Sequence, residues 1–204
     1  MFIRHSAQPD LIRDDVMRSM FAARKAVFVD LLQWDLPVHD GRYEIDQFDD
    51  PHARYIILSQ EDGNHLGSAR LLPTSRPHIL GSLYPQLCAE APPSGPDIFE
   101  ITRFCLDRRL RAPERRRVRD ALILSLTEHA LASGITTYVA IAAQSWARQI
   151  EAFGWDCAPL GPPRKTDDAS LVALRIAITP QTPALLKAAG LVSTALPGEH
   201  ILAA

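Results

Sequence analysis

The chain predicts a single α/β domain spanning residues 1–204, with a mixed twisted sheet and helices on both faces. Three observations predict it. The elements run strand, long helix, loop, three strands, helix, strand, helix, two strands, so strands and helices interleave. Hairpin signals near both ends, Asp62-Gly63-Asn64 and Pro162-Pro163, make the sheet mixed rather than wholly parallel. The 204 residues are 47% hydrophobic with a formal net charge of −2, enough apolar mass for one sizeable core.

Residues 2–5 read as a first strand. Residues 10–32 read as a helix with Asp10 as N-cap after Pro9. Met17, Phe21, Arg24 and Phe28 recur at spacings that share one helical face, so Arg24 stands in an apolar stripe. Either it snorkels to the surface or it serves a site. From Gln33 the periodicity stops, and a loop follows with Trp34, Pro37, Gly41 and the acidic run Glu44, Asp46, Asp49. A structureless loop this long is usually functional or disordered. Its aromatic and aliphatic residues argue against disorder.

Residues 53–60 and 65–72 read as paired strands. In the second, Ser68, Arg70 and Leu72 share a face, which is either solvated or part of a site. Residues 73–97 are proline-rich, with a short helix at 79–88. The strand at 98–107 carries Glu100 and Arg103, three apart, so a β-bulge must intervene if both serve one site. Seven arginines crowd residues 108–119 and lead into a helix over 114–133, stopped by Gly134. That segment is either a solvated cluster or an anion trap at a helix N-terminus. A buried strand at 135–143, a helix at 144–153 ended by Gly154, a closing hairpin over 155–179 and a final helix complete the order.

Charge balance gives no push toward nucleic acid or membrane, and no apolar run approaches the ~18 residues of a span. No signal-peptide core opens the sequence. Cys88, Cys105 and Cys157 lack any CxxC pairing and suit a reducing cytoplasm. The histidines form no zinc-binding pair, so no metal is expected.

With these residues placed, the sequence resembles the acyl-homoserine lactone synthases, the autoinducer synthase family of bacterial quorum sensing. The resemblance is carried by Arg24, Phe28, Trp34, Glu44, Asp46, Asp49, Arg70, Glu100 and Arg103, and by FDDPHARYII, GSARLLPTSRPHIL and EITRF around them. It covers residues 15–163. Leu83-Tyr84 departs from the family's aromatic pair. The resemblance implies a fold like the GCN5-related N-acetyltransferases, with a splay between the fourth and fifth strands, here 98–107 and 135–143. It implies S-adenosyl-L-methionine as a substrate rather than a cofactor, and an acyl group carried by acyl carrier protein or coenzyme A.

An α-amino group has a pKa of about 8, so a modest base suffices for amide formation. Glu100 is the candidate. Arg24 or Arg103 steers the substrate carboxylate; Asp46 and Asp49 hold its ammonium or sulfonium. Trp34 covers the cation or stacks on adenine. Phe28, Glu44 and Phe104 join the substrate-binding set. Equally, Arg24, Asp46, Asp49, Arg70 and Arg103 can bind one another as an ion network. Ile141, Ala142, Ala143 and Trp146, with Leu122 and Leu126, line the acyl pocket. Arg115, Arg116, Arg119 and Arg148 are the carrier-binding candidates. The rival readings are an N-acyltransferase acting on another amine, a non-catalytic sensor of the same ligands, and a nucleic-acid module suggested only by residues 108–119.

Overall fold

The computed structural model describes residues 2–5, 14–166 and 169–191, the first of these in backbone only. Asp10 therefore lies outside the described residues. Helix α1 (Asp15–Arg24) is capped by Asp14, whose carboxylate accepts from the N–H groups of Val16 and Met17. Met17, Phe21, Arg24 and Phe28 are all buried, as their spacing predicts. The helix does not run regularly to residue 32. It widens into a π-helical turn over Lys25–Val29, with Asp30 N–H donating to the Lys25 carbonyl.

The chain then forms a small hairpin where the sequence reads as a loop. Strands β2 (Val38–His39) and β3 (Tyr43–Glu44) pair antiparallel. The turn places Asp40 at φ 51° and Gly41 at φ 65°. Positive φ at both central positions is the hairpin requirement that Asp-Gly meets well, and that dipeptide was the missed signal.

The main sheet has the order β1 (Phe2–His5), β4 (Arg54–Ser59), β5 (His65–Pro73), β6 (Ile98–Leu106), β7 (Thr137–Ala143), β10 (Ser170–Ala177), β8 (Asp156–Pro159), with β9 (Arg164–Lys165) also on β10. β6 and β7 are parallel and β7 and β10 antiparallel, so the sheet is mixed. The β6–β7 register runs only from Ile98↔Thr137 to Ile101↔Ala140, while β6 continues to Leu106 and β7 to Ala143. The paired register ends there.

The described residues group into two compact units, residues 2–5, 14–70 and 103–125 forming one, and residues 71–102, 126–166 and 169–191 the other. The first holds α1, the small hairpin, β4 and most of β5. In it Gly67 lets β5 approach helix α3 (Ala112–Ser133): a Cβ there would stand 2.8 Å from Val118. The second holds β7, β10, α2 (Ile79–Leu83), α4 (Gln144–Ala152) and α5 (Thr182–Ala188). Its sheet is covered on both faces. Val139 and Ile141 pack with Leu80, Leu87 and Ala173, whereas Tyr138, on the opposite face, donates to the Leu126 carbonyl of α3.

Candidate active site

The charged residues of the sequence motif other than Glu100 meet in the first unit. Arg24 ends α1, Glu44 ends β3, Arg70 lies on β5 and Arg103 on β6. Asp46 and Asp49 sit in a tight turn that the acidic side chains themselves hold. Phe48 N–H donates to Asp46 Oδ1 at 2.8 Å, and Asp46 N–H to Asp49 Oδ2 at 2.8 Å. Arg103 has φ 50°, a left-handed residue inside a strand. That conformation breaks the two-residue alternation, as the Glu100–Arg103 spacing demands for a local bulge.

Three guanidinium groups face three carboxylates. Arg24 donates through Nε to Glu44 Oε2 at 2.5 Å and through Nη1 and Nη2 to the two oxygens of Asp49 at 2.8 Å each. Arg70 grips Asp46 with two bonds, 2.7 and 3.0 Å, and its Nη1 lies 2.8 Å from Asp49 Oδ1. Arg103 bridges Glu44 at 3.1 Å and Asp46 at 2.7 Å. Forked arginines suit this use, since each guanidinium serves two carboxylates at fixed angles. Tyr55 adds a hydroxyl donor to Asp49 Oδ1 at 2.7 Å. Sequence reasoning missed Tyr55, because a tyrosine in an apolar strand reads as core.

The side chains of Arg24, Glu44, Asp49 and Arg70 are fully buried, whereas those of Asp46 and Arg103 keep about a tenth of their surface. Burial pushes the Asp49 carboxyl up, but Arg24 and Arg70 together outweigh it and hold it well below the usual carboxylate range. Burial works against the Arg24 cation too, and Asp49 and Glu44 more than restore it. Burial, then the Asp49 charge, pushes the Tyr55 phenol up, so it stays a neutral donor.

Arg24 and Asp49 are buried and bond each other, with Glu44, Arg70 and Tyr55 completing the cluster, so the ion network of the sequence reading is present. Arg70 is likewise not on a solvated face. Asp46 and Arg103 form the accessible rim. Beside them, Arg103 lies 5.6 Å over the Phe28 ring, and Phe28 stacks on half-exposed Trp34 at 5.0 Å. Glu44, Asp46 and Asp49 converge closely enough to hold a metal ion, but the guanidinium groups already neutralise them.

Glu100 belongs to the second unit. It is fully buried, and its Oε1 accepts from the Leu80 N–H of α2 at 3.0 Å. Phe104 is half-buried on β6. The acyl-pocket set does not share one face. Alternation along β7 puts Ile141 and Ala143 with Val139, and Ala142 with Tyr138. Trp146 packs edge-on against Phe153, ring centroids 5.7 Å apart. Of the seven arginines, Arg115, Arg116, Arg117 and Arg119 lie inside α3 rather than before it, because the helix starts at Ala112. Arg116 is exposed, Arg115 donates to the Asp107 carbonyl, and Arg119 pairs with Asp120 at 2.6 Å. Arg148 is exposed on α4.

The mixed sheet with its helices is a fold shared with a solved acetyltransferase. A structure assigned to the N-acetyltransferases, from Lactobacillus plantarum, matches that fold with TM-score 0.58 at 20% identity, covering 87% of this chain and 98% of its own. Residues 9–182 match the family model described as autoinducer synthase. The chain belongs to that family, the acyl-homoserine lactone synthases, which are acyltransferases. An acyl-homoserine-lactone synthase of Pseudomonas aeruginosa is 33% identical over 154 residues, 74% of each chain. One from Ralstonia nicotianae is 32% identical over 182 residues, 86% of this chain and 87% of its own. The match to a Pseudomonas fluorescens relative is 43% over 94 residues, so there the chain spans 48% of the relative's length. A coenzyme A-dependent acyl-homoserine lactone synthase, solved with S-adenosylmethionine and isopentyl-coenzyme A, superposes with TM-score 0.81 at 26% identity, covering 93% and 88%. Among the described residues no helix is long and apolar enough to cross a membrane.

Proposed function

We propose that the protein acylates S-adenosyl-L-methionine from an acyl thioester and then closes the lactone, making an N-acyl-homoserine lactone quorum-sensing signal. The carrying observation is the ion network with one accessible edge. An N-acyltransferase for a simple amine has no need of two buried arginines that fix an acidic cluster and leave Asp46, Arg103 and a Phe28–Trp34 stack at the rim. A rim with one carboxylate, one guanidinium and an aromatic face suits a substrate with ammonium, carboxylate, sulfonium and adenine groups.

In the first step Glu100 takes a proton from the amine, directly or through a water, and the nitrogen attacks the thioester carbonyl. The C–N bond forms, the C–S bond breaks, and the thiolate takes the second proton that nitrogen loses, so the carrier leaves as a thiol. Backbone N–H groups where the β6–β7 pairing ends supply the oxyanion donors. In the second step the substrate carboxylate displaces 5′-methylthioadenosine from the sulfonium carbon. That leaving group departs neutral, so the site needs mainly to fold the chain into a near-attack shape. The methionine derivative is consumed as a substrate, and no cofactor takes part.

The carrier in this reading is acyl carrier protein, docked on the arginines of residues 108–119, although coenzyme A serves one solved relative. The reaction runs in the cytoplasm, where Cys88, Cys105 and Cys157 stay reduced. The whole chain acts as one domain. Mass spectrometry after incubation with adenosylmethionine and a panel of acyl thioesters tests the reading. The expected products are an acyl-homoserine lactone and 5′-methylthioadenosine. Acylation of another amine, or binding without turnover, would replace it with one of the rival readings.

A further inference from the structure

The first turn of α2 holds a second polar side chain that the mechanism above leaves unused. Leu80 N–H fixes Glu100 there, and His78, immediately before the helix, lays its imidazole on the same turn. A Cβ on Gly81 would stand 2.6 Å from the ring's Cε1 and 2.8 Å from Nε2, so the ring fills the space a side chain at 81 would take. His78 is only 5% exposed. Its Nδ1 lies 2.8 Å from the Arg76 carbonyl, which can only accept, so Nδ1 carries the proton. In the neutral ring Nε2 is then a lone-pair acceptor. It is buried and has no hydrogen-bond partner among the described residues. Folds keep few such atoms, because an unmet buried acceptor costs free energy.

We infer that His78 is a second acceptor for the reacting amine, working beside Glu100. The inference rests on the reading of Glu100 as the base. An α-ammonium group has three N–H bonds. The amide keeps only one of them: one proton leaves before attack and is taken by Glu100, and a second leaves the tetrahedral intermediate and ends on the departing thiolate. The N–H that stays needs an acceptor, and His78 Nε2 provides it. That hydrogen bond holds the nitrogen lone pair toward the thioester carbonyl. Nε2 takes no proton: when the C–N bond has formed and the C–S bond has broken, one of the two protons lost by nitrogen is on Glu100 and the other is on the carrier thiol.

Two conservative variants separate the ring's two nitrogens. His78→Asn keeps an N–H where Nδ1 donates to the Arg76 carbonyl but ends short of Nε2. His78→Gln places an amide oxygen near Nε2. Steady-state kinetics with adenosylmethionine and the best acyl thioester of the panel, alongside melting temperatures, gives the readout. For His78→Asn we expect kcat/KM for adenosylmethionine to fall about 10- to 100-fold, with the KM for the thioester unchanged and the melting temperature near wild type. His78→Gln should recover most of that loss. Gly81→Ala, which displaces the ring, should resemble His78→Asn. A His78→Asn enzyme as active as wild type, a Gln variant no better than Asn, or melting far below wild type in both would overturn the inference. Glu100→Gln is measured in parallel, with an expected rate loss of about 10²- to 10⁴-fold. If that variant alone keeps full rate, the base assignment fails; if it is disabled while His78→Asn is not, only the His78 inference fails.

Discussion

Arginine plays opposite parts in two regions of this chain. Arg24, Arg70 and Arg103 are buried or nearly so, and each forks onto two carboxylates. The seven arginines of residues 108–119 lie mostly exposed, and their ion pairs are local: Arg109 with Asp107, Arg119 with Asp120. The side chain is the same; the solvent differs. In water a guanidinium is already solvated, and a pair contributes little. Away from water the charge must be matched, and removing one partner strands the other. The inner set therefore specifies a structure, while the outer set presents a field.

The sharpest way to break this contrast is inside. Arg24→Ala leaves Asp49 and Glu44 short of a buried counter-charge and should cost about 3–5 kcal/mol of stability, with activity abolished. Asp49→Ala should cost a similar amount, and the double variant little more than either, since both changes destroy the same bonds. Urea titrations of the four proteins check it. Simple addition of the two losses would mean that the network does not act as a unit.

That network was only half legible in the sequence. Its members stood out because charged residues interrupted an apolar helical stripe and a β-strand. Which of them pair with which could not be read, because the partners are distant in sequence. Arg24 and Asp49 bond across 25 residues, a pairing with no local signature. The strands at 54–59, 65–73 and 98–106 followed from alternation and β-branched content almost to the residue. The π-turn at 25–29 did not, since one widened turn leaves no compositional mark. The β2–β3 hairpin was readable from Asp40-Gly41 but hidden by its two-residue strands. In the acyl-pocket set, Ile141, Ala142 and Ala143 fall on two faces of β7, because contiguous residues of a strand cannot share a face.

A buried group with no matching charge takes the other route and stays neutral. His65 is 2% exposed, with Nε2 2.8 Å from Ser68 Oγ. Burial brings its pKa down to about 4; Asp107 pulls it back only in part, and Arg109 opposes that. The folded value lies below the unfolded one of about 6.5, so the unfolded chain binds the proton first. Stability is complete above about pH 6.5 and falls as pH drops toward 4, by roughly 3 kcal/mol in total. Asp49, also depressed, adds its own loss only below about pH 4. Denaturation midpoints from pH 7 to 4 should decline in wild type and flatten in His65→Gln. Equal slopes would remove His65 from the acid sensitivity.

Arg103→Lys probes the rim, where burial is incomplete. The charge stays but the fork is lost, so Glu44 and Asp46 can no longer both be held. The expected cost is about 1–2 kcal/mol, below that of Arg24→Ala, with a rise in KM for adenosylmethionine. A cost equal to that of Arg24→Ala would erase the distinction between rim and interior.

The smallest stability change is expected outside. Arg116 and Arg117 are exposed in the first turns of α3, whereas Arg119 is held by Asp120 and is the poorer target. Arg116→Ala/Arg117→Ala should shift stability by less than about 0.5 kcal/mol. Its effect belongs to the carrier. A protein partner spreads contacts over several side chains, each worth about 0.2–1 kcal/mol and weakened by salt. Coenzyme A phosphates would instead rely on two or three arginines and on backbone N–H groups in a pocket. Arginines from 108 to 119 cover more surface than one pyrophosphate can use, which favours acyl carrier protein. The measurement is kcat/KM for one acyl group on both carriers, at low and raised salt, in wild type and double variant. We expect the carrier-protein substrate to be preferred, to weaken with salt, and to lose several-fold in the variant. A better coenzyme A thioester would reverse the choice of carrier, and indifference of both to the variant would leave the outer arginines merely solvated.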